Sequence, residues 1–210
     1  YVGALNTFAS YQTEVIHVDM DDSGLVPESL REKVTAARQD GKSVKFLYTV
    51  PNYSNPSGIS QSTERRREIL AVADELDLLV VEDNPYGLLN LDGDPLPTLK
   101  SMDPDNVVYL GSFSKTFAPG FRIGWVLSPS FVRDKLVLAQ ESATLCPPVF
   151  SQFAVSSYLA HWDWRAQVDS FINMYRIRRD TMLASLAETM PEGTTWSHPS
   201  GGFFVWLTMP

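Results

Sequence analysis

Leu78-Leu79-Val80-Val81-Glu82-Asp83-Asn84-Pro85-Tyr86 is an apolar run that ends abruptly in two carboxylates, an amide, a proline and a phenol. A run this short and this apolar fits a strand buried on both faces, as in a parallel sheet. Val107-Val108-Tyr109-Leu110-Gly111-Ser112-Phe113-Ser114-Lys115 repeats the pattern, with an amine at its polar end. Upstream, Val44–Val50 reads as a strand that runs into Pro51-Asn52-Tyr53-Ser54-Asn55-Pro56-Ser57-Gly58. Between these strands lie helical patterns. Pro27–Arg38 carries Leu30, Val34 and Ala37 on one stripe, and Ser62–Leu76 has Ser62 placed as its cap and Glu64 in its first turn. Val15–Val18 and Ile123–Leu127 read as further strands and Phe131–Gln140 as a further helix. Strands alternating with helices predict an α/β fold with a mostly parallel sheet and helices on both faces.

The pattern changes after residue 142. Cys146-Pro147-Pro148 breaks the chain, and a short helix follows. Asp163–Glu188 then reads as one long helix with Val168, Phe171, Ile172, Tyr175, Met182 and Leu186 on its apolar side. Pro191, Glu192 and Gly193 end it, Ser200-Gly201-Gly202 makes a turn, and Phe203–Leu207 reads as a strand of a second sheet. Residues 1–142 are therefore expected to form a large α/β domain, incomplete at its N-terminus. Residues 143–192 are expected to be interdomain helices, and residues 193–210 the start of a small, truncated α+β C-terminal domain. The chain opens at Tyr1 without a methionine and closes at Pro210 after an apolar run, which reads as an internal piece of a longer protein.

Composition narrows the function classes. Hydrophobic residues make up 44% and charged residues 20%, the mix of a soluble globular protein. A net charge of −8 speaks against a general nucleic-acid or membrane-surface binder, though not against a local basic pocket for one phosphate. The single cysteine, Cys146, cannot form an internal disulfide and suits a cytoplasmic protein. No apolar run approaches the about 20 residues needed to span a bilayer. His17, His161 and His198 have no ligand spacing, so no metal site is expected.

Ligands of open α/β sheets collect at the carboxyl ends of the strands. There the sequence offers the Asn55 amide, the Asp83 carboxylate, the Tyr86 phenol, the Ser112 and Ser114 hydroxyls and the Lys115 amine, with Arg122 beyond the turn marked by Pro119 and Gly120. An amine in a water-poor cleft near cations is suited to attack an aldehyde. A carboxylate at a buried strand end needs a cation, and a protonated pyridine nitrogen is one. Hydroxyls and an arginine near a turn cradle a phosphate. Aldehyde, pyridinium and phosphate together describe pyridoxal 5'-phosphate (PLP).

Pro51…Asn55-Pro56-Ser57-Gly58, Asp83-Asn84-Pro85-Tyr86 and Ser112-Phe113-Ser114-Lys115…Arg122-Ile123-Gly124 resemble the fold-type I, class I/II PLP-dependent aminotransferases. The resemblance runs over essentially the whole chain and is nearest to the aromatic, kynurenine and 2-aminoadipate aminotransferase branch. It implies the PLP-dependent transferase fold and ping-pong transfer of an amino group from an amino acid to a 2-oxo acid, with 2-oxoglutarate as the expected acceptor. It also implies that Lys115 holds PLP as a Schiff base and then shuttles a proton, and that Asp83 pairs with the pyridine nitrogen. Asn55 and Tyr86 would bond the ring oxygen, Ser112, Ser114 and Arg122 the phosphate, and Tyr1 would stack on the ring. Homodimers with shared active sites are expected. The resemblance places the substrate-carboxylate arginine and the glycine- and serine-rich phosphate loop outside these 210 residues.

Other residues have plainer expectations. Trp125, Phe203, Phe204 and Trp206 read as core, Cys146 as packed, and Glu64-Arg65-Arg66-Arg67-Glu68 as a solvated helix face. Ser112-Phe113-Ser114-Lys115 also fits the Ser-x-x-Lys pattern of penicillin-binding hydrolases, but the Ser-Asp-Asn and Lys-Thr-Gly partners are absent. Two rivals remain: a PLP-dependent lyase or decarboxylase on the same fold, and the aminotransferase-like sensor domain of a transcription regulator.

Overall fold

The computed structural model describes residues 1–210. Helix α1 (Val2–Ser10) leads through an irregular stretch to a short hairpin of β1 (Met20–Asp21) and β2 (Gly24–Leu25). Then follow α2 (Pro27–Gln39), β3 (Phe46–Thr49), α3 (Thr63–Glu75), β4 (Leu79–Asp83), α4 (Leu99–Met102) and β5 (Val107–Ser112). A 3-10 turn (Pro119–Phe121) precedes β6 (Gly124–Leu127), α5 (Ser130–Thr144), α6 (Val149–His161) and α7 (Trp164–Thr189). The chain closes with β7 (Thr195–Trp196) and β8 (Leu207–Thr208), an antiparallel pair.

The central sheet has the order β3-β4-β5-β6. β3 and β4 are parallel and joined through α3, as expected, while β4 and β5 are parallel and joined through the short α4, a helix not read from the sequence. β6 departs from the rest. The segment from Ser112 to Gly124 holds no crossover helix, only the 3-10 turn, so the chain must return antiparallel beside β5. This reversal brings the residues just before β6 to the same edge of the sheet as the carboxyl ends of β3, β4 and β5.

Local chemistry sets the helix limits. Pro27 opens α2 at a position that needs no N–H, with Glu28 in the first turn and Arg38 in the last. The helix closes where Gly41, at φ +77°, donates to Arg38 O at 3.0 Å and Lys42 donates to Ala37 O at 2.9 Å. Ser62 caps α3 by accepting from the Arg65 N–H at 3.2 Å. α3 ends in the same way as α2, with Asp77 at φ +45° in the place of a glycine.

The core lies on one face of the sheet. Leu30 and Val34 of α2, Ile69, Val72 and Ala73 of α3, Leu99 of α4, and Leu47, Val80 and Val107 of the strands form one buried cluster with Leu25 and Leu78. Burying each leucine or isoleucine stabilises the fold by about 1.5–3 kcal/mol. On the opposite face α1 contributes Phe8, whose ring stands edge-on to Phe46 and Tyr48 of β3, each at 5.6 Å.

Several expectations are corrected. Val15–Val18 is not a strand but irregular chain; nothing pairs with it, and the neighbouring pairing is made instead by Met20–Asp21. α1 has no counterpart in the sequence reading. Of Phe203–Leu207 only Leu207 is in a strand, because β8 pairs with β7 through Thr208 and Leu207 alone. The strand expected at Ile123–Leu127 is present as β6, and all of β6 is exposed. Trp125, Phe203 and Trp206 are 43%, 37% and 52% exposed and are not core residues. The Trp125 ring instead stacks on Tyr109 at 5.0 Å and fills the space over Gly111, where a Cβ would come within 2.2 Å of it. Cys146 is exposed, since it sits in the break between α5 and α6. The long stripe of α7 is buried only at Val168.

Candidate active site

Asp83 is the last residue of β4 and Ser112 the last of β5, and Asp83 lies beside Leu110 in the register. With a side-chain period of two, Tyr48, Val81, Asp83, Val108, Leu110 and Ser112 belong to one face of the sheet, opposite the core cluster. The Tyr48 hydroxyl donates a short hydrogen bond to Asp83 Oδ2, and Oδ1 accepts none. Burial pushes the Asp83 carboxyl up from its ordinary range, partly offset by the Tyr48 hydrogen bond. Burial also pushes the Tyr48 phenol up, with Asp83 adding to the effect, so Tyr48 is a neutral donor.

Tyr86 follows Asp83 through Asn84-Pro85. Its ring is buried, flanked edge-on by Phe203 and Phe204, each at 5.6 Å. Burial raises the Tyr86 phenol; the Asn55 side chain lowers it, and Asp83 and Tyr1 raise it further. Asn55, Asp83, Tyr86 and Tyr1 are thus brought together. Tyr1 is 57% exposed and precedes α1, whose Phe8 abuts Tyr48.

The turn carrying Asn55 is closed on itself. Ser54 N–H donates to Ile59 O at 2.9 Å, Gly58 N–H to Ser54 O at 2.7 Å, and the Asn55–Pro56 peptide is cis. A Cβ on Gly58, at φ +73°, would come within 2.5 Å of Phe204 O, so the C-terminal segment leans directly on this turn.

The serines and Arg122 meet by way of the β5–β6 hairpin. Ser112 pairs with Gly124, and Phe113 N–H donates to Ile123 O at 3.1 Å, which continues the register toward Ser114 and Arg122. Ser114 N–H is held by Ser112 Oγ at 3.1 Å. Arg122 is exposed in a left-handed conformation at φ +53°, its guanidinium touching only Pro119 O at 3.4 Å. Lys115 lies half-buried in the turn after β5 and makes neither a hydrogen bond nor an ion pair.

A buried network that the sequence reading missed supports these turns. Arg66 is 0% exposed, not on a solvated face as expected. α3 turns it inward on the stripe of Ile69 and Ala73, while Arg67 stays outside, paired with Glu64. Its guanidinium donates to Gln61 O at 3.0 Å, Pro97 O at 2.8 Å, Pro51 O at 3.3 Å and Asn52 Oδ1. Tyr48 was also missed. Its strand parity with Asp83 is the signal that could have found it.

The donor set fits PLP. A half-buried carboxylate with one free oxygen suits a ring cation, an uncommitted amine suits an aldehyde, and two serines with an uncommitted guanidinium suit a phosphate. A cavity of about 220 Å³ lies behind this region, lined by Tyr109, Trp125, Tyr158 and Trp164, but neither Asp83 nor Lys115 borders it.

The family model for aminotransferase class I and II matches residues 1–210, and the chain belongs to that family. The aromatic-amino-acid aminotransferase 1 of Thermococcus litoralis is 42% identical over 100% of this chain and 51% of its own length. The mitochondrial kynurenine/alpha-aminoadipate aminotransferase of Bos taurus is 36% identical over 99% of this chain and 51% of its own length. Among solved structures, the multiple substrate aminotransferase of Thermococcus profundus superposes with a TM-score of 0.95 at 41% identity, over 100% of this chain and 52% of that one. The alpha-aminoadipate aminotransferase LysN of Thermus thermophilus, complexed with N-(5'-phosphopyridoxyl)-L-leucine, gives 0.92 at 29% identity over 100% of this chain and 54% of that one. An uncharacterized HTH-type transcriptional regulator of Bacillus subtilis, YdfD, is 33% identical over 99% of this chain and 42% of its own length. The chain spans about half the length of the curated aminotransferases it matches. The fold is that of the PLP-dependent aminotransferases, and class I/II members use PLP.

Proposed function

We propose that the protein containing this chain is a PLP-dependent aminotransferase that moves an amino group from an amino acid to a 2-oxo acid. The observation that carries this reading is the meeting of Asp83, Asn55, Tyr86 and Tyr1 at the sheet edge where β5 delivers Ser112, Ser114 and Lys115. PLP, when bound, supplies an electron sink that stabilises a carbanion at the substrate's α-carbon.

The chain's own residues do the rest. Lys115 Nζ would anchor the cofactor and carry the proton of the substrate's α-carbon. Asp83 would hold the proton on the ring nitrogen. Asn55 and Tyr86 would bond the ring hydroxyl, Tyr1 would stack on the ring, and Ser112, Ser114 and Arg122 would hold the phosphate. Arg122 serves as a forked donor there, which a lysine could not replace.

The names of the relatives point to an aromatic amino acid, kynurenine or 2-aminoadipate as the donor, and 2-oxoglutarate is the proposed acceptor. Residues 1–142 belong in this reading to the cofactor-binding domain, 143–192 to interdomain helices and 193–210 to the start of a small C-terminal domain. A homodimer with shared sites, a cytoplasmic location and no nucleic-acid partner complete the proposal. No helix is long and apolar enough to cross a membrane.

The test is visible absorbance of the complete protein with PLP, with donors added one at a time. A cofactor band that bleaches with one amino acid and returns with 2-oxoglutarate is expected. Failure to take up PLP would contradict the reading. A band that no amino acid alters would favour the regulator, the second reading that the likeness to YdfD supports.

A further inference from the structure

Tyr48 is not among the residues given a role above, yet it makes the side-chain hydrogen bond that Asp83 accepts. It sits on β3 beside Val81, on the face that Val81 shares with Asp83. Its ring is fixed from the side by Phe8 at 5.6 Å and an interplanar angle of 80°. The carboxylate is thereby gripped at Oδ2 from the neighbouring strand, while Oδ1 is left without a partner. A half-buried carboxylate free to rotate would lose that orientation, and a positioned one keeps it.

We infer that Tyr48 is a positioning residue that holds Asp83 through Oδ2 so that Oδ1 is presented to the ring nitrogen of the cofactor. This rests on the reading of Asp83 as the carboxylate that pairs with that nitrogen. The hydrogen bond also favours the charged form of the carboxylate, opposing the effect of burial. The groups around Asp83 are the phenols of Tyr48, Tyr86 and Tyr109, with Tyr1 close to Tyr48 and Tyr86. Loss of the Tyr48 hydroxyl therefore moves the protonation of Asp83 to higher pH.

The experiment is PLP titration into the cofactor-free complete protein at a series of pH values, followed by absorbance and by quenching of intrinsic fluorescence. Wild type, Tyr48→Phe, Asp83→Asn and the double variant are compared. For Tyr48→Phe, affinity is expected to fall roughly tenfold or more, with the loss larger on the acid side and still present at high pH, because Asp83 is then both less well oriented and more readily protonated. The double variant should bind no more weakly than Asp83→Asn alone. Replacing Tyr48 with 3-fluorotyrosine keeps the ring and strengthens the donor, and should move the acid limb the other way; this arm stands even if Tyr48→Phe does not fold. No loss at all, a loss confined to the acid side, or an acid limb unmoved by 3-fluorotyrosine would overturn the inference. If Asp83→Asn itself binds PLP as wild type does, the reading of Asp83 fails, a result distinct from failure of the Tyr48 inference.

Discussion

Arg66 donates to Asn52 Oδ1, and Asn52 Nδ2 donates to Asn84 Oδ1 at 2.8 Å, so one buried guanidinium is linked to both turns of the candidate site. Asn52 precedes Asn55 in the first turn, and Asn84 follows Asp83 in the second. The chain thus ties the spacing of Asn55 and Asp83 to a buried side-chain network.

Replacing Arg66 with methionine keeps much of the apolar stem but strands the carbonyls of Gln61 and Pro97 and the Asn52 amide oxygen, while Pro51 O keeps the Gln61 N–H. It also leaves the buried Glu82 carboxylate without its nearby cation. Arg66→Met is expected to cost about 3–5 kcal/mol, read as a lower urea midpoint of the complete protein. A change within about 0.5 kcal/mol would show that the network is not cooperative.

Glu82 gives a pH signature. It is 0% exposed, Oε2 accepts from the Lys100 N–H at 2.8 Å, and Oε1 has no partner. Burial holds its carboxyl above the ordinary value of 4.5, with the Lys100 N–H and Arg66 offsetting part of the effect. The folded state therefore binds this proton more tightly than the unfolded state. Its contribution is most favourable below 4.5 and declines as pH rises through the folded value. Glu82→Gln should remove that decline, so the variant gains on wild type with rising pH by up to about 1.4 kcal/mol per unit within the window. Urea midpoints measured across pH check this; a difference that stays constant with pH contradicts it.

Gly201 and Gly202 are needed for close approach. A Cβ at Gly201 would lie 2.3 Å from Tyr53 Cζ and 2.5 Å from Leu89 O, and Gly202 holds φ +69°. The ring could shift but the Leu89 backbone could not. Gly201→Ala is expected to cost about 1–3 kcal/mol and to loosen the turn at Tyr53, measured by thermal unfolding and by limited proteolysis. Wild-type stability would show that the C-terminal segment does not bear on that turn.

Much of this was legible in the sequence because buried parallel strands write themselves as apolar runs. Leu78–Val81 and Val107–Leu110 announce where Asp83 and Ser112 stand, and Ser62 marks the start of a helix by its cap chemistry. What was illegible depended on phase and partnership. Arg66 sits in a run of charges indistinguishable by composition, and only the period shared with Ile69 and Ala73 turns it inward. Tyr48 looked like any strand aromatic until the β3–β4 register set it beside Val81, on the face that carries Asp83. Val15–Val18 has strand composition but no partner strand, and composition alone cannot supply one.

The most direct test is borohydride reduction of the complete protein loaded with PLP, followed by peptide mapping. The expected result is the reduced cofactor's mass on the peptide containing Lys115, absent from Lys115→Ala together with the visible band and transamination. Cofactor fixed to another lysine, or to none, would contradict the assignment of Lys115 and with it the proposed chemistry of this site.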